Sequence, residues 1–285
     1  MTANAYQLSL VPIQVVNLIP KHDISADCQT YCEAIDGHQY AVKQVSDSPV
    51  FPYTPFDELF CYELARLSGI AVPQYSILKM PDQSLAFGSV WEGATIDDGF
   101  NTVYTDIKKG LDSYLPKQKF IERLSAIYAF DLFVHNEDRH SGNYLFRPSF
   151  DTHVMLAMDF SRSWTNLNCP IDRTSAVMNP TRLPMQYISP PHHINQNGNK
   201  SNTSLLAGFL WNIQQLGPIC GGTFFKTLNL LLELTQMHIN SILSKVPEEW
   251  CSSKRKDIIR NWWLSGEHIN RINIIKGAYE HGTLV

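Results

Sequence analysis

Residues 135–146 of the chain read HNEDRHSGNYLF, and residues 158–161 read MDFS. In this stretch Asp138 and Asn143 lie five positions apart, and Asp159 follows sixteen positions after Asn143. A site that transfers a phosphoryl group needs one carboxylate to orient the attacking hydroxyl. It also needs an amide oxygen and a second carboxylate to hold Mg²⁺ against the nucleotide phosphates. The order and spacing of these residues therefore predict a phosphoryl-transfer site.

A lysine and a helix acid elsewhere in the chain complete this pattern. Lys43 ends the strand-like run 40–43, where it can reach into a cleft and bind nucleotide phosphates. Either Glu58 or Glu63, in the helix that follows, can pair with Lys43 and orient it. Taken by itself, Lys43 is more simply interpreted as a strand-edge lysine that faces water. Asp138, taken by itself, is more simply interpreted as a turn residue. We favour the functional interpretation because all these features occur together.

Composition argues against several other classes of protein. The 285 residues, 44% hydrophobic and 18% charged, are typical of a globular protein with a sizeable core. The net charge of -4 argues against a nucleic-acid binder. The sequence contains no run of about 20 apolar residues, so we expect no stable membrane insertion. We also recognise no secretory signal. The six cysteines lack metal-site spacing, so we expect free thiols and a cytoplasmic location.

The periodicity of apolar residues predicts an α+β fold in two lobes. The predicted strands cover residues 31–35, 39–45, 74–80, 85–91, 144–146 and 154–158. The predicted helices cover residues 56–69, 117–135, about 205–215, 224–243 and 254–279. We therefore predict a small β-rich N-lobe over residues 1–92, which binds nucleotide, and a larger helical C-lobe over residues 93–285, which carries the catalytic loop.

Residues 162–203 form a long segment rich in Pro, Asn, Ser and Thr, with little periodicity. Long segments of this kind are usually functional or disordered. Ser163, Thr165, Thr174 and Ser175 are candidates for autophosphorylation, although for any single one a loop-forming role is the simpler interpretation.

Two residues beside Asp138 leave alternatives open. His140 can donate a hydrogen bond to the transferring phosphoryl group, or it can steady the loop, and a purely structural role is equally open. Arg139 can pair with a loop carboxylate or face water.

With this set of candidate residues, the chain resembles the HipA-like kinases, especially the compact single-domain bacterial proteins of that group. Type II phosphatidylinositol 4-kinases share the pattern Asn-x-Asp-Arg-x-x-x-Asn more distantly. The resemblance covers about residues 31–159. In such proteins the helix acid stands eleven positions before the glycine that ends the helix, ahead of an apolar segment with Pro. Glu58, Gly69 and residues 70–73 fit this arrangement, so the resemblance favours Glu58 over Glu63.

The resemblance implies a bilobal, kinase-like fold that holds ATP and Mg²⁺ between its lobes. By motif, the implied roles are phosphate binding by Lys43, support of Lys43 by Glu58, catalytic base for Asp138, Mg²⁺ ligation by Asn143 and Asp159, and adenine binding by the backbone of Val90, Trp91 and Glu92.

The usual glycine-rich loop is missing, and Ser25 to Thr30 occupy its place, where backbone N–H groups could cradle phosphates. Ser161 replaces the glycine of an Asp-Phe-Gly triad, a change expected to affect loop flexibility more than metal binding.

The first functional hypothesis is an ATP-dependent kinase that phosphorylates Ser or Thr on a protein. A lipid head group or a small metabolite is the alternative acceptor for the same catalytic residues. A weakly active nucleotide-binding regulatory module is a third hypothesis, and the intact set of catalytic residues argues against it. Nothing after residue 205 indicates a substrate or an oligomeric state.

Overall fold

The computed structural model describes residues 11–20, 30–45, 53–91, 95–96, 98–136, 139–163 and 215–282. The strands are β1 (Ile13–Ile19), β2 (Thr30–Ala34), β3 (Gln39–Lys43), β4 (Tyr75–Lys79), β5 (Leu85–Val90), β6 (Tyr144–Ser149) and β7 (Thr152–Ala157). The helices are α1 (Thr54–Leu67), α2 (Gly99–Lys108), α3 (Lys117–Val134), α4 (Gly221–Leu232), α5 (Gln236–Lys245), α6 (Ser253–Leu264) and α7 (Glu267–Glu280). The predicted α+β class is confirmed. Among these described helices, none is both long and apolar enough to cross a membrane.

Strands β1 to β5 form a closed barrel in the order β1-β2-β3-β5-β4. Neighbouring strands are antiparallel except β1 and β4, which pair in parallel and close the barrel. The β2–β3 hairpin turns at Gly37, whose φ of 79° favours glycine. The barrel encloses a small core of its own, formed by Val15, Cys32, Ala34, Tyr40, Val42, Leu78, Met80 and Ala86. This core fixes which face of β3 points inward.

Helix α1 packs against barrel strand β5 and against the C-terminal helices α4 and α5. Its residues from Thr54 to Ala65 are all buried. Tyr62 makes edge contacts with the barrel residue Phe87 and with Phe160, at ring-centre distances of 5.1 and 5.6 Å. The helix is followed by Gly69, whose φ of 81° lets the chain reverse where the sequence predicted it.

Helix α3 leads into the predicted catalytic loop. It ends at Val134, and the next residue, His135, adopts a left-handed conformation with φ of 53°. The last carbonyls of a helix lack partners within the helix. Here Arg271 of α7 donates to the carbonyls of Phe133 and Leu132, at 2.7 and 2.8 Å. The C-terminal helices therefore support the end of α3.

Two helix predictions near the C-terminus are wrong in their extent. The predicted helix over 224–243 is divided into α4 and α5, because Thr235 and His238 form a capping box that starts a new helix. The predicted helix over 254–279 is divided at Gly266, whose φ of 78° interrupts it. The helix predicted at 205–215 lies almost entirely outside the described residues, and the division into lobes at residue 92 stays a prediction.

Candidate active site

Strand β3 places Lys43 on the outer face of the barrel, beside α1. Side chains alternate along a strand, so Val42 enters the barrel core and Lys43 points the other way. Lys43 pairs across the sheet with Phe87 of β5 and is itself buried. A buried ammonium group needs charged or hydrogen-bonding partners.

Two carboxylates surround the Lys43 ammonium group. Its Nζ lies 2.5 Å from Oε1 of Glu58 and 2.7 Å from Oδ1 of Asp159. Glu63, the other acid that the residues left open, lies 2.6 Å from Lys245 instead. The structure therefore brings together three of the predicted site residues, and Glu58 is the helix acid in contact with the lysine.

The electrostatics of this cluster keep Lys43 positive and Asp159 negative. Burial lowers the pKa of Lys43, but the carboxylates of Asp159 and Glu58 raise it by more. The pKa of Lys43 therefore lies well above its ordinary value. Burial raises the pKa of Asp159, but the adjacent Lys43 overrides this and holds it well below its usual range. The Asp159 side chain is 23% exposed and that of Glu58 only 1%. Asp159 is thus the ionised carboxylate that an incoming cation can reach.

Local contacts fix the conformation of Asp159. Its φ of 61° is left-handed. The Ser161 hydroxyl donates to Oδ1 of Asp159 at 2.7 Å, and the N–H of Phe160 donates to Glu58 at 3.0 Å. The Phe160 ring packs edge-on against Phe130 of α3, with ring centres 5.5 Å apart. Ser161 therefore does more than change loop flexibility, because its hydroxyl contacts the predicted metal ligand directly.

The β6–β7 hairpin brings Asn143 next to the Asp159 segment. Tyr144 pairs with Ala157, and the N–H of Met158 donates to the Asn143 carbonyl at 3.1 Å. The two predicted metal ligands, sixteen positions apart, therefore lie at adjacent ends of one hairpin. An amide oxygen and an ionised carboxylate fit Mg²⁺, which binds few protein ligands and completes its shell with phosphates and water.

Arg139 is a buried residue that connects α3 with both ends of the β6–β7 hairpin. Arg139 makes two hydrogen bonds to the Asp131 carboxylate of α3, at 2.8 and 3.0 Å. Its Nη1 donates to the carbonyls of Asn143 and Met158. Arg139 thus neither faces water nor pairs with a loop carboxylate, and both alternatives from the sequence are wrong.

Asn136 adds a further link to this network. Its Nδ2 lies 3.2 Å from Oδ1 of Asp131 and 3.3 Å from the carbonyl of Asp159. Sequence reasoning missed Asp131. The available signal was an acid within the otherwise apolar stripe of a helix predicted to be buried, because such an acid needs a charged partner.

His140 makes a contact within the loop. Its Nδ1 accepts the N–H of Gly142 at 3.1 Å. A Cβ at Gly142 would approach the imidazole ring to 2.9 Å, so glycine allows this close arrangement. This contact supports a role of His140 in stabilising the loop, which is one of the alternatives that the sequence left open.

Strand β5 ends at Val90, and Trp91 follows it in the predicted adenine-binding segment. The Val90 N–H donates to the Gln74 carbonyl and the Trp91 N–H to the Gln39 carbonyl, both at 2.7 Å. These two N–H groups are therefore used within the sheet. Adenine binding by this backbone stays a prediction, and a donor to adenine would have to come from further along the segment.

Several predicted site residues lie outside the described part of the chain. They are Asp138, Ser25 and Glu92. Thr30 is described, and its hydroxyl donates to the Ile19 carbonyl at 3.1 Å, which ties the start of β2 to β1. Its role in phosphate binding stays a prediction.

Ser163 is poorly placed for autophosphorylation. It is completely buried, and its hydroxyl donates to the Phe160 carbonyl at 2.7 Å. The other three candidates, Thr165, Thr174 and Ser175, lie outside the described residues.

Comparison with known proteins adds the family. A sequence model of the HipA-like kinases matches residues 15–163, just over half of the chain. No curated protein matches significantly. The Helicobacter pylori proinflammatory kinase CtkA is 14% identical with a TM-score of 0.44, and the match covers 91% of this chain and 99% of that one. A Shewanella oneidensis MR-1 complex of the toxin–antitoxin system HipA, HipB and its operator DNA contains a chain that is 10% identical, with a TM-score of 0.45. That match covers 90% of this chain and 62% of the other.

The family match includes the described cluster of Lys43, Glu58 and Asp159 and the hairpin that carries Asn143. Because this match covers more than half of the chain, the chain belongs to the HipA-like kinase family.

Proposed function

We propose that the chain is an ATP- and Mg²⁺-dependent kinase that transfers the γ-phosphoryl group to a Ser or Thr hydroxyl of a protein. The observation that carries this proposal is the contact of Lys43 with both Glu58 and Asp159. It sets a charged lysine beside an ionised and accessible carboxylate, an arrangement suited to binding nucleotide phosphates with their metal. Family membership supports the reaction class, while a protein acceptor rests on the resemblance.

Each catalytic residue has a role in this proposal. Lys43 would bind the α- and β-phosphates, and Glu58 would keep its ammonium group oriented. Asp159 and Asn143 would hold Mg²⁺, which neutralises phosphate charge when it is bound. Asp138 would accept the proton of the acceptor hydroxyl as its oxygen bonds to the γ-phosphorus and the bond to ADP breaks.

The remaining predicted residues would complete the nucleotide site. His140 would steady the catalytic loop through its contact with the backbone. The segment Val90, Trp91 and Glu92 would lie against the adenine, and backbone N–H groups in residues 25–30 would contact the phosphates. We place this activity in the cytoplasm on the sequence argument alone.

The lobe boundary is part of the same proposal. The N-lobe of residues 1–92 would supply Lys43 and Glu58, and the C-lobe of residues 93–285 the catalytic loop and the metal ligands. ATP would lie between them.

The experiment incubates purified protein with labelled ATP and Mg²⁺, with and without cell lysate. Asp159→Asn should abolish phosphoryl transfer, because it removes the ionised ligand of the metal. Asp151→Asn is the matched control, since Asp151 lies exposed in the β6–β7 turn, and activity should persist. Full activity of Asp159→Asn at normal Mg²⁺ would show that the metal site is wrongly placed.

The location of the label decides the acceptor. Label on a protein band, followed by recovery of phosphoserine or phosphothreonine, supports the proposed substrate. Label in a lipid or metabolite extract favours the alternative acceptor. Binding of ATP without any turnover would reduce the chain to a nucleotide-binding regulatory module.

A further inference from the structure

The C-terminal helices contact the helix that carries Glu58. Lys245, the last residue of α5, lies 2.6 Å from Glu63 of α1, with side chains only 15% and 9% exposed. Glu63 follows Glu58 by five positions, which rotates it by about 140° around the helix axis. Helix α1 therefore presents Glu58 to Lys43 and, on another side, Glu63 to α5.

A second C-terminal contact lies at the start of α1. The guanidinium of Arg255, on α6, lies 3.9 Å from the ring centre of Tyr53 and 6.0 Å from that of Phe56. Tyr53 immediately precedes α1, and Phe56 is in its first turn. A cation this close to an aromatic ring is attracted by its π-electrons. The C-terminal helices therefore hold α1 at its first turn as well as at Glu63.

The segment between α5 and α6 also contacts the barrel. Trp250 Nε1 donates to the Leu85 carbonyl at 3.1 Å, and Glu249 accepts the Leu85 N–H at 2.8 Å. Leu85 begins β5, the strand whose Phe87 pairs with Lys43. The same C-terminal elements thus contact both the helix of Glu58 and the strand beside Lys43.

We propose that Lys245 is a positioning residue, which through Glu63 holds α1 where Glu58 reaches Lys43. This inference rests on the proposed function, in which the Lys43–Glu58 contact orients the phosphate-binding lysine. A partly buried ion pair resists separation more than a surface pair, because separating it leaves charges poorly hydrated. The proposal gives the helices after residue 215 a role in the reaction, namely to support a catalytic pair in the N-terminal part of the chain through Glu63, which precedes Lys245 by 182 residues.

The test replaces Lys245 by Met in the full chain, which keeps most of the aliphatic stem and removes the charge. We expect kcat/KM for ATP to fall about tenfold, and Lys245→Arg to stay close to wild type because the charge remains. Lys276→Met is the matched control, since Lys276 contacts Asn229 at 2.6 Å within the C-terminal helices, and its activity should be unchanged. Glu63 is left intact because its charge also acts on Arg66.

A double-mutant cycle with Glu58→Gln distinguishes positioning from general destabilisation. If Lys245 acts through Glu58, adding Lys245→Met to Glu58→Gln should lower kcat/KM little further, because the contact of Glu58 with Lys43 is already lost. Additive losses in kcat/KM would overturn the proposal, as would a Lys245→Met variant with full activity.

Hydrogen exchange of the α1 amides gives a measurement that does not depend on turnover. Amides of residues 54–67 should exchange faster in Lys245→Met than in Lys276→Met or wild type. Unchanged exchange overturns the inference even if the chain is an active kinase. Wild-type protein without phosphoryl transfer would instead overturn the proposed function, and the exchange rates would still decide whether Lys245 holds α1.

Discussion

Replacing Asp131 by Asn should destabilise the protein strongly, because it leaves the Arg139 guanidinium buried without its carboxylate. The side chains of Arg139 and Asp131 are 0% and 1% exposed, and two hydrogen bonds join them. Removing one partner of a buried ion pair costs about 3–5 kcal/mol. We expect about 3 kcal/mol here, at the low end, because the amide oxygen and the carbonyls of Asn143 and Met158 still accept hydrogen bonds from Arg139.

The assay is urea denaturation together with a thermal melt. A loss of about 3 kcal/mol should lower the melting temperature by roughly 6–12 °C in a chain of this size. Glu122→Gln is the control, since it removes a surface ion pair with Lys119 and should leave the midpoint unchanged. The double variant Asp131→Leu with Arg139→Met should recover part of the loss, because an apolar pair removes the unpaired buried charge.

If Asp131→Asn lowers the midpoint no more than Glu122→Gln does, the buried ion pair does not stabilise the protein as expected. The loop would then be held by contacts other than this ion pair. Turnover offers a second check, since Arg139 binds the carbonyls of Asn143 and Met158, which flank the predicted metal site. An Asp131→Asn variant with full turnover at a temperature where it is folded would show that the network does not position these ligands.

Three other predictions concern catalysis and pH. Lys43→Met and Glu58→Gln should be strongly non-additive in a cycle of kcat/KM measurements, because the two side chains touch; additive losses would contradict this. Asp138→Asn should lower kcat by roughly two decades or more yet keep ATP affinity within a few-fold, as measured by calorimetry; joint collapse of binding and turnover would refute its role as a base. Burial lowers the pKa of His135 to about 3, assisted by the charge of Arg271, from an ordinary value of 6.5. Below about pH 6.5 the unfolded chain therefore binds a proton that the folded chain does not, and stability falls as the pH drops towards 3. His135→Asn, which tolerates the positive φ, should flatten that slope by up to about 1.4 kcal/mol per pH unit in urea titrations, and an unchanged slope would contradict the assignment.

Features that depend on local chemistry could be predicted from the amino-acid sequence alone. The turn at Gly37 and the chain reversal at Gly69, just after α1, were predictable because glycine readily adopts the positive φ that each position requires. The spacing of Asn143 and Asp159 was readable because a short hairpin joins them, so their distance along the chain limits their distance in space. The predicted helices 224–243 and 254–279 were too long, because apolar periodicity continues across a break made by a histidine capping box or a single glycine.

The partners of the charged residues, by contrast, depend on how the elements pack together in three dimensions. Periodicity shows which face of a helix is apolar, but not which other element packs against it. Arg139 contacts Asp131 because the loop folds back onto α3, and Glu63 contacts Lys245 because α5 packs against α1. The residues alone left Glu58 and Glu63 equally open as partners of Lys43. Their separation around α1 became meaningful only once the barrel lay on one side of that helix and the C-terminal helices on another.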